Sequence, residues 1–273
     1  MAGEAVRIAP AVLRLTAPNP SIMTGPGTNT YLVGERELIV VDPGPDDAAH
    51  RGTLLQVAGG RIRTIVVTHT HPDHAPGAAA LAAATGAEVV GFDARDDFVP
   101  DRRAEDGTVV EGDGARLTAL HTPGHASNHL CWLLADGGLL FSGDHLMQGS
   151  TVVVAPPDGD MAQYLDSLRR LLDLGSSLQA VAPGHGARMD DPAAAVEAVI
   201  AHRRWREEEV RRALRRAGQA TVDDLLPDVY AGTAEVLLPV ARMSLWAHLR
   251  KLAADGAAAG DDPQRVDTSW RAL

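Results

Sequence analysis

Thr68-His69-Thr70-His71-Pro72-Asp73-His74 follows directly on the apolar run Ile62 to Val67. Four side chains able to bind a metal fall within six residues of this stretch. In an extended segment His69 and His71, two apart, point to the same side, while Pro72 stops any helix from running through the group and can open one at Asp73. The four can therefore converge on one point. Imidazole nitrogen and carboxylate oxygen are a ligand set that suits zinc and, less selectively, iron, manganese or nickel. The competing reading is a polar turn whose histidines cluster by chance, a poor account in a chain with 11 histidines in 273 residues.

Further ligands stand at the ends of other apolar runs. These are His125 in His121-Thr122-Pro123-Gly124-His125, Asp144 in Phe141-Ser142-Gly143-Asp144-His145 and His185 in Ala182-Pro183-Gly184-His185-Gly186. A loop at a strand's end is where a rigid sheet presents a site. Each alone is weak, because a single histidine after a strand is more often a hydrogen-bonded structural residue. Together, five histidines and two aspartates suffice for two adjacent metals with one carboxylate shared and a water or hydroxide between them. Two metals about 3.5 to 4 Å apart lower the pKa of that water, so the chemistry allowed is hydrolysis near neutral pH.

Around these motifs, short β-rich runs alternate with helical patterns. Val12 to Leu15, Thr28 to Val33, Glu37 to Asp42 and Ile62 to Val67 read as strands, with helices over Asp46 to Ala58 and Ala75 to Ala84. Glu88 to Gly91, Ala115 to His121, Leu130 to Leu134, Gly138 to Ser142 and Ala180 to Pro183 read as further strands, and Asp160 to Leu174 as an amphipathic helix. The class is α/β on mixed sheets. From Asp191 the pattern turns helical: a long helix to about Gly218, a second from Val222 behind the N-cap Thr221 that ends or kinks at Pro227, and a third over Val240 to Ala254. Gly256 to Pro263 is turn-rich, and Gln264 to Leu273 can supply one strand or a wing. The expected division is a catalytic domain over 1–200 and a small C-terminal domain over 201–273.

With 25 basic and 36 acidic residues the chain carries a formal charge of -11, which disfavours broad adhesion to phosphate backbones or anionic membrane. The last 74 residues are nearly neutral, with 12 basic and 11 acidic side chains. Cys131 is the sole cysteine and reads as a small core residue, so no intrachain disulfide forms. The start, MAGEAVRIAPAVLRL, has no basic segment followed by a long apolar stretch, and no run approaches a membrane span. A cytoplasmic protein is expected.

The run His69-x-His71-x-Asp73-His74, then His125, Asp144 and His185 in that order, resembles the metallo-β-lactamase superfamily. The resemblance implies a four-layer αβ/βα sandwich. It also implies that His69, His71 and His125 hold a first zinc, Asp73, His74 and His185 a second, and that Asp144 bridges them. Asn19-Pro20-Ser21, Gly27 to Val33, Val41 to Gly44, the run HTPGHASNH and the helices after His202 resemble the β-lactamase-like protein 2 subgroup. That subgroup implies a winged-helix-like tail and, in one animal branch, an endoribonuclease acting on single-stranded RNA. Members of the superfamily cleave β-lactams, lactones, thioesters and phosphodiesters with nearly the same ligands.

The expectation is a dinuclear zinc hydrolase using a metal-bridging hydroxide, with Asp73 and Asp144 as its catalytic carboxylates. Its leading substrate is single-stranded RNA, and a small thioester, lactone or β-lactam is the alternative. A mononuclear iron dioxygenase acting on persulfides is a further rival, since those relatives share the His-x-His-x-Asp-His run, and manganese is another metal the ligands accept. Asp42 is either a carboxylate that fixes the tautomer of a ligating histidine or a turn residue before Pro43. Asn128 and His129 either face the substrate, with His129 protonating a leaving group, or tie down a loop. In the tail, Arg203-Arg204-Trp205-Arg206 to Arg216 reads as a basic face for nucleic acid or as a solvated helix paired through Glu207 to Arg211 and Glu208 to Arg212. The low cationic density disfavours reading of double-stranded DNA, and a substrate-covering or homodimer-forming module fits better.

Overall fold

A computed structural model describes residues 3–273, which fall into two compact units. The first comprises residues up to 122 together with 128–151 and 174–195, and the second comprises 123–127, 152–173 and 196–273.

Two sheets make the first unit. One has seven strands in sequential order: β1 (Val6–Ala9), β2 (Val12–Thr16), β3 (Asn29–Val33), β4 (Leu38–Val41), β5 (Ile62–Val66), β6 (Glu88–Gly91) and β7 (Arg102–Arg103). Its first four strands pair antiparallel, and β4 to β7 run parallel. The other holds β8 (Val109–Gly112), β9 (Ala115–His121), β10 (Leu130–Leu134), β11 (Leu139–Gly143) and β12 (Ala180–Pro183), in the order β12-β11-β10-β9-β8. Here β11 and β12 are the parallel pair, and the remaining contacts are antiparallel. The mixed α/β class holds. Tyr31, Val41 and Val66 from one sheet and Leu117, Trp132 and Phe141 from the other bury a common core.

On the other face of the larger sheet, α1 (Ala48–Ala58) and α2 (Gly77–Thr85) cover Leu32, Val40, Ile62 and Ile65 with Leu54 and Leu81. Asp47 caps α1 by accepting from the His50 amide, and Gly59 ends it in the left-handed conformation that costs a glycine least. No helix opens at Asp73. Residues 72–74 form a turn closed by His74 N to His71 O at 3.0 Å, and α2 starts only at Gly77. Three layers of the expected four thus lie in the first unit. The helices α3 (Met161–Asp173) and most of α4 (Pro192–Ala217) group with the second.

In the second unit, α4, α5 (Val222–Val229) and α6 (Leu238–Ala254) pack around Val210, Leu214, Leu225, Leu245, Leu249 and Trp270. Thr221 and Asp224 form a reciprocal capping box at α5. Pro227 does not end this helix. It removes one bond, to the Asp223 carbonyl, and Tyr230 N to Leu226 O closes the last turn regardless. The turn-rich Gly256 to Pro263 contains a strand, β14 (Ala258–Gly260), which pairs with β15 (Trp270–Ala272), and β13 (Gln219–Ala220) completes a three-stranded sheet. Alanine and glycine are poor strand formers, and the Trp270 ring, on which a side chain at Gly260 would clash, supplies what local propensity lacks. The α4 ion pairs are Glu208 with Arg211 and Glu209 with Arg212, three apart and not four. Glu207 turns instead to Lys251 on α6. No helix among the described residues is long and apolar enough to cross a membrane.

His50 is 2 % exposed, bonded through Nε2 to Thr30 Oγ1 at 2.8 Å, and its Nδ1 is buried without a partner. Burial pushes its pKa down to about 4. The unfolded chain therefore takes up a proton that the fold refuses, so stability is full above pH ~6.5 and falls as pH drops toward 4, by roughly 3 kcal/mol. Urea unfolding at pH 7 and 4.5 is expected to show this loss, and His50→Gln to shrink it. An equal loss in both chains would remove His50 as its source.

Candidate metal centre

Parallel pairing brings strand ends together. The C-terminal ends of β4 and β5 lie side by side, as do those of β11 and β12, and so Asp42, the 68–74 loop, Asp144 and His185 emerge at one edge of the two sheets. The β9–β10 hairpin contributes its loop end, with Thr122 N bonded to His129 O at 2.9 Å. One ligand atom each from His69, His71 and Asp144 lies within 4.8 Å of the others, and the same holds for Asp73, His74 and His185. His125 belongs to the other unit, where its Nδ1 donates to Val153 O at 2.6 Å.

The hydrogen bonds assign the tautomers. Asp42 is 2 % exposed and accepts from Thr68 N, Thr68 Oγ1 and His74 Nδ1, each at 2.7 Å. His74 therefore carries its proton on Nδ1 and turns Nε2 inward. Because Thr68 Oγ1 donates to Asp42, it must accept from His69 Nδ1 at 3.0 Å, and His69 Nε2 is left as a lone pair 3.0 Å from His71 Nδ1. Asp42 has φ 51°, so it is also the turn residue before Pro43, and the two readings of it describe one geometry. On the far side Asn19 Nδ2 donates to Thr28 Oγ1 at 2.9 Å, and Thr28 Oγ1 donates to Asp73 Oδ2 at 2.9 Å. Asn29 Nδ2 and Tyr31 Oη hold the Pro183 carbonyl, fixing the His185 loop.

The interior of the cluster fits a cation. His74 Nε2 is buried with no hydrogen-bond partner and lies 3.4 Å from oxygens of both Asp73 and Asp144. His185 Nε2 lies 3.2 and 3.3 Å from the same two carboxylates. Burial alone would lower the pKa of His185, yet Asp144 and Asp73 push it up to about 9. Burial likewise opposes the charge of His74, and Asp144 and Asp42 raise it well above the imidazole range. The carboxylates thus draw positive charge to this point, and a metal would displace those protons. Glycines keep the space open. A Cβ on Gly184 would stand 2.7 Å from His74 Cε1 and 2.8 Å from Asp144 Oδ1, and one on Gly143 (φ +47°) would stand 2.6 Å from Thr68 Oγ1.

His129 is fully buried. Its Nε2 accepts from the Asp144 amide at 3.2 Å, so Nδ1 carries the proton and donates to Thr122 Oγ1 at 2.9 Å. With both nitrogens engaged it ties down the Asp144 loop. Asn128, 2 % exposed, donates to Thr70 Oγ1 at 2.9 Å. His121 stacks on Phe92, 4.4 Å between centroids, and His145 is buried with its ring 5.9 Å from that of His129. Thr28, Asn29, Tyr31 and Thr68 were not anticipated as site residues. The available signal was the polar run Thr28-Asn29-Thr30 opening a strand that ends in Leu32 and Val33, and the place of Thr68 directly before His69.

Residues 23–185 match the model of the metallo-beta-lactamase superfamily, and residues 221–270 match the beta-lactamase associated winged helix domain. A beta-lactamase-like protein 2 homolog of Drosophila melanogaster is 33% identical, aligned over 92% of this chain and 90% of its own length. An atrochrysone carboxyl ACP thioesterase of Aspergillus chevalieri is 34% identical, over 84% of this chain and 76% of its own. The crystal structure of a beta-lactamase domain protein from Burkholderia ambifaria superposes with a TM-score of 0.85 at 21% identity, covering 100% of this chain and 94% of that one. On the strength of the family match and of relatives spanning nine-tenths of its length, the chain belongs to the metallo-beta-lactamase superfamily, alongside the β-lactamase-like protein 2 homologues.

Proposed function

We propose that this chain is a dinuclear zinc hydrolase acting on a thioester. Residues 1–200 would form the hydrolase domain and 201–273 the appended winged-helix-like domain. His69, His71 and His125 would hold one cation, Asp73, His74 and His185 the other, with Asp144 shared. The β9–β10 hairpin supports His125, because the loop holding it is anchored at Thr122 and Asn128, and Asn128 is bonded to Thr70 between two of the other ligands. Such a pair supplies an activated water near neutral pH and Lewis acidity at the scissile carbonyl. The chain's own residues do the rest. Asp42 fixes the ligating tautomers of His74 directly and of His69 through Thr68, and Thr28 orients Asp73 toward the water it positions.

The observation that carries the thioester reading is the state of His129. A thiolate leaves without help, since its conjugate thiol has a pKa of about 8.5. An amine or an alkoxide needs a proton, and His129, the histidine nominated to give one, is buried with both nitrogens committed. A relative named as an ACP thioesterase points the same way. Single-stranded RNA is the second reading, supported by the β-lactamase-like protein 2 homologues.

The test sets the zinc-loaded chain against an acyl-coenzyme A, read by thiol release, and a labelled single-stranded RNA, read on a gel, each with and without EDTA. EDTA-sensitive thiol release is the expected result. RNA cleavage without thiol release would replace it with the second reading, and one iron per chain with oxygen uptake on a persulfide would end both.

A further inference from the structure

The basic stretch of α4 has an inward side that neither solvated ion pairs nor a nucleic-acid face explains. Arg203 is 3 % exposed, donates from Nη2 to the Val152 carbonyl, and sits 5.4 Å from the centre of the Tyr164 ring. Arg206, one turn on, lies 4.5 Å from the Trp205 ring and 4.2 Å from that of Tyr230, and donates from Nη1 to the Val229 carbonyl. Both guanidinium groups are held by carbonyls and aromatic faces, and among the described residues no carboxylate pairs with either. The Nε–H of each is buried without a hydrogen-bond partner, and so is Nδ1 of His202. The nearest acidic side chain in sequence, Glu207, is taken by Lys251 at 3.1 Å.

That arrangement is costly by itself. Donors of charged groups are buried unsatisfied, and two like charges, Arg203 and Arg206, stand three apart on one helix face. Burial, and then Arg203 and Arg206, push the pKa of His202 down, and burial, with Arg203 adding, lowers that of Arg206. The outward arginines of the same helix, Arg211 and Arg212, each have a glutamate. Planar guanidinium forks match phosphate oxygens in geometry as well as charge. Location adds to this. The Val152 carbonyl that anchors Arg203 is followed by the Val153 carbonyl that receives His125 Nδ1–H at 2.6 Å, so the cationic cluster and a candidate metal ligand share one two-residue brace.

We propose that Arg203, Arg206 and His202 form an anion subsite that receives a phosphate carried on the thiol arm of the substrate. The source of the phosphate rests on the thioester reading, whereas the subsite itself does not. Inorganic phosphate, titrated at constant ionic strength, is expected to raise the melting temperature of the full chain and of Arg211→Gln. It should do so much less in Arg206→Gln and in Arg203→Lys, which keeps the charge and loses the fork. In steady state, Arg206→Gln is expected to raise KM for an acyl-coenzyme A roughly tenfold more than for an acyl-N-acetylcysteamine, which has the same thioester and no phosphate. Equal phosphate shifts in all four chains, or equal KM changes for the two thioesters, would overturn the subsite. A phosphate shift lost in Arg206→Gln without turnover of any thioester upholds the subsite and removes the thioester reading. A shift with a 5′-phosphorylated oligoribonucleotide and none with coenzyme A would move the phosphate to an RNA end.

Discussion

Asp144→Ala is expected to leave a folded chain that binds less than two metals and hydrolyses at below about one hundredth of the parent rate. Loss of an outer partner of a metal ligand already costs 10- to 100-fold, so loss of a shared ligand stands at or beyond the top of that range. Asp144 Oδ1 is approached by both His74 Nε2 and His185 Nε2, at 3.4 and 3.3 Å, and Asp144 also groups with His69 and His71, as Asp73 does not. Its backbone amide, which holds His129, survives the change, so the loop keeps its anchor. Metal content by elemental analysis, beside circular dichroism of the metal-free chain, separates the outcomes. Two metals per chain with parental turnover would refute the shared-ligand role.

Asp42→Asn is expected to reduce metal affinity and turnover by about 10- to 100-fold, though it touches no metal and changes one atom. The backbone tolerates it, because asparagine accepts the left-handed φ of 51°. The hydrogen bonds do not. An amide that keeps its oxygen toward Thr68 N must present its NH2 to Thr68 Oγ1 and His74 Nδ1, where the carboxylate accepted at 2.7 Å. His74 then accepts at Nδ1 and shifts its proton to Nε2, the nitrogen that turns toward Asp73 and Asp144 and would hold the metal. Zinc affinity by competition with a chelator, measured at several pH values, should show weakened binding with the fold unchanged. Parental affinity would mean that Asp42 serves only the turn.

The site was legible in proportion to how local its parts are. The HTHPDH run stood out because four candidate ligands share one loop, and His125, Asp144 and His185 joined the candidates because each follows an apolar run. What could not be read was which groups hold them. Thr28 stands 45 residues before Asp73, and Tyr31 stands 152 before Pro183, and nothing in the intervening sequence encodes those contacts. The same limit hid β7, β13 and β14, strands of two or three residues that exist through their partners. It also displaced the α4 ion pairs by one position, since spacing along a helix cannot say that Glu207 has a lysine waiting on α6.

The order in which the candidate ligands occur has a kinetic meaning. Six of them, from His69 to His185, come from loops that meet only when β5, β11 and β12 have taken their places in two different sheets. Joining such distant segments is the slow part of folding, because the entropy of closing each long loop is spent before any contact rewards it. A nascent or partly folded chain therefore offers a metal no more than the short HTHPDH loop. Tight capture belongs to the end of folding, and a cation arriving then locks a finished sandwich instead of templating an unfinished one.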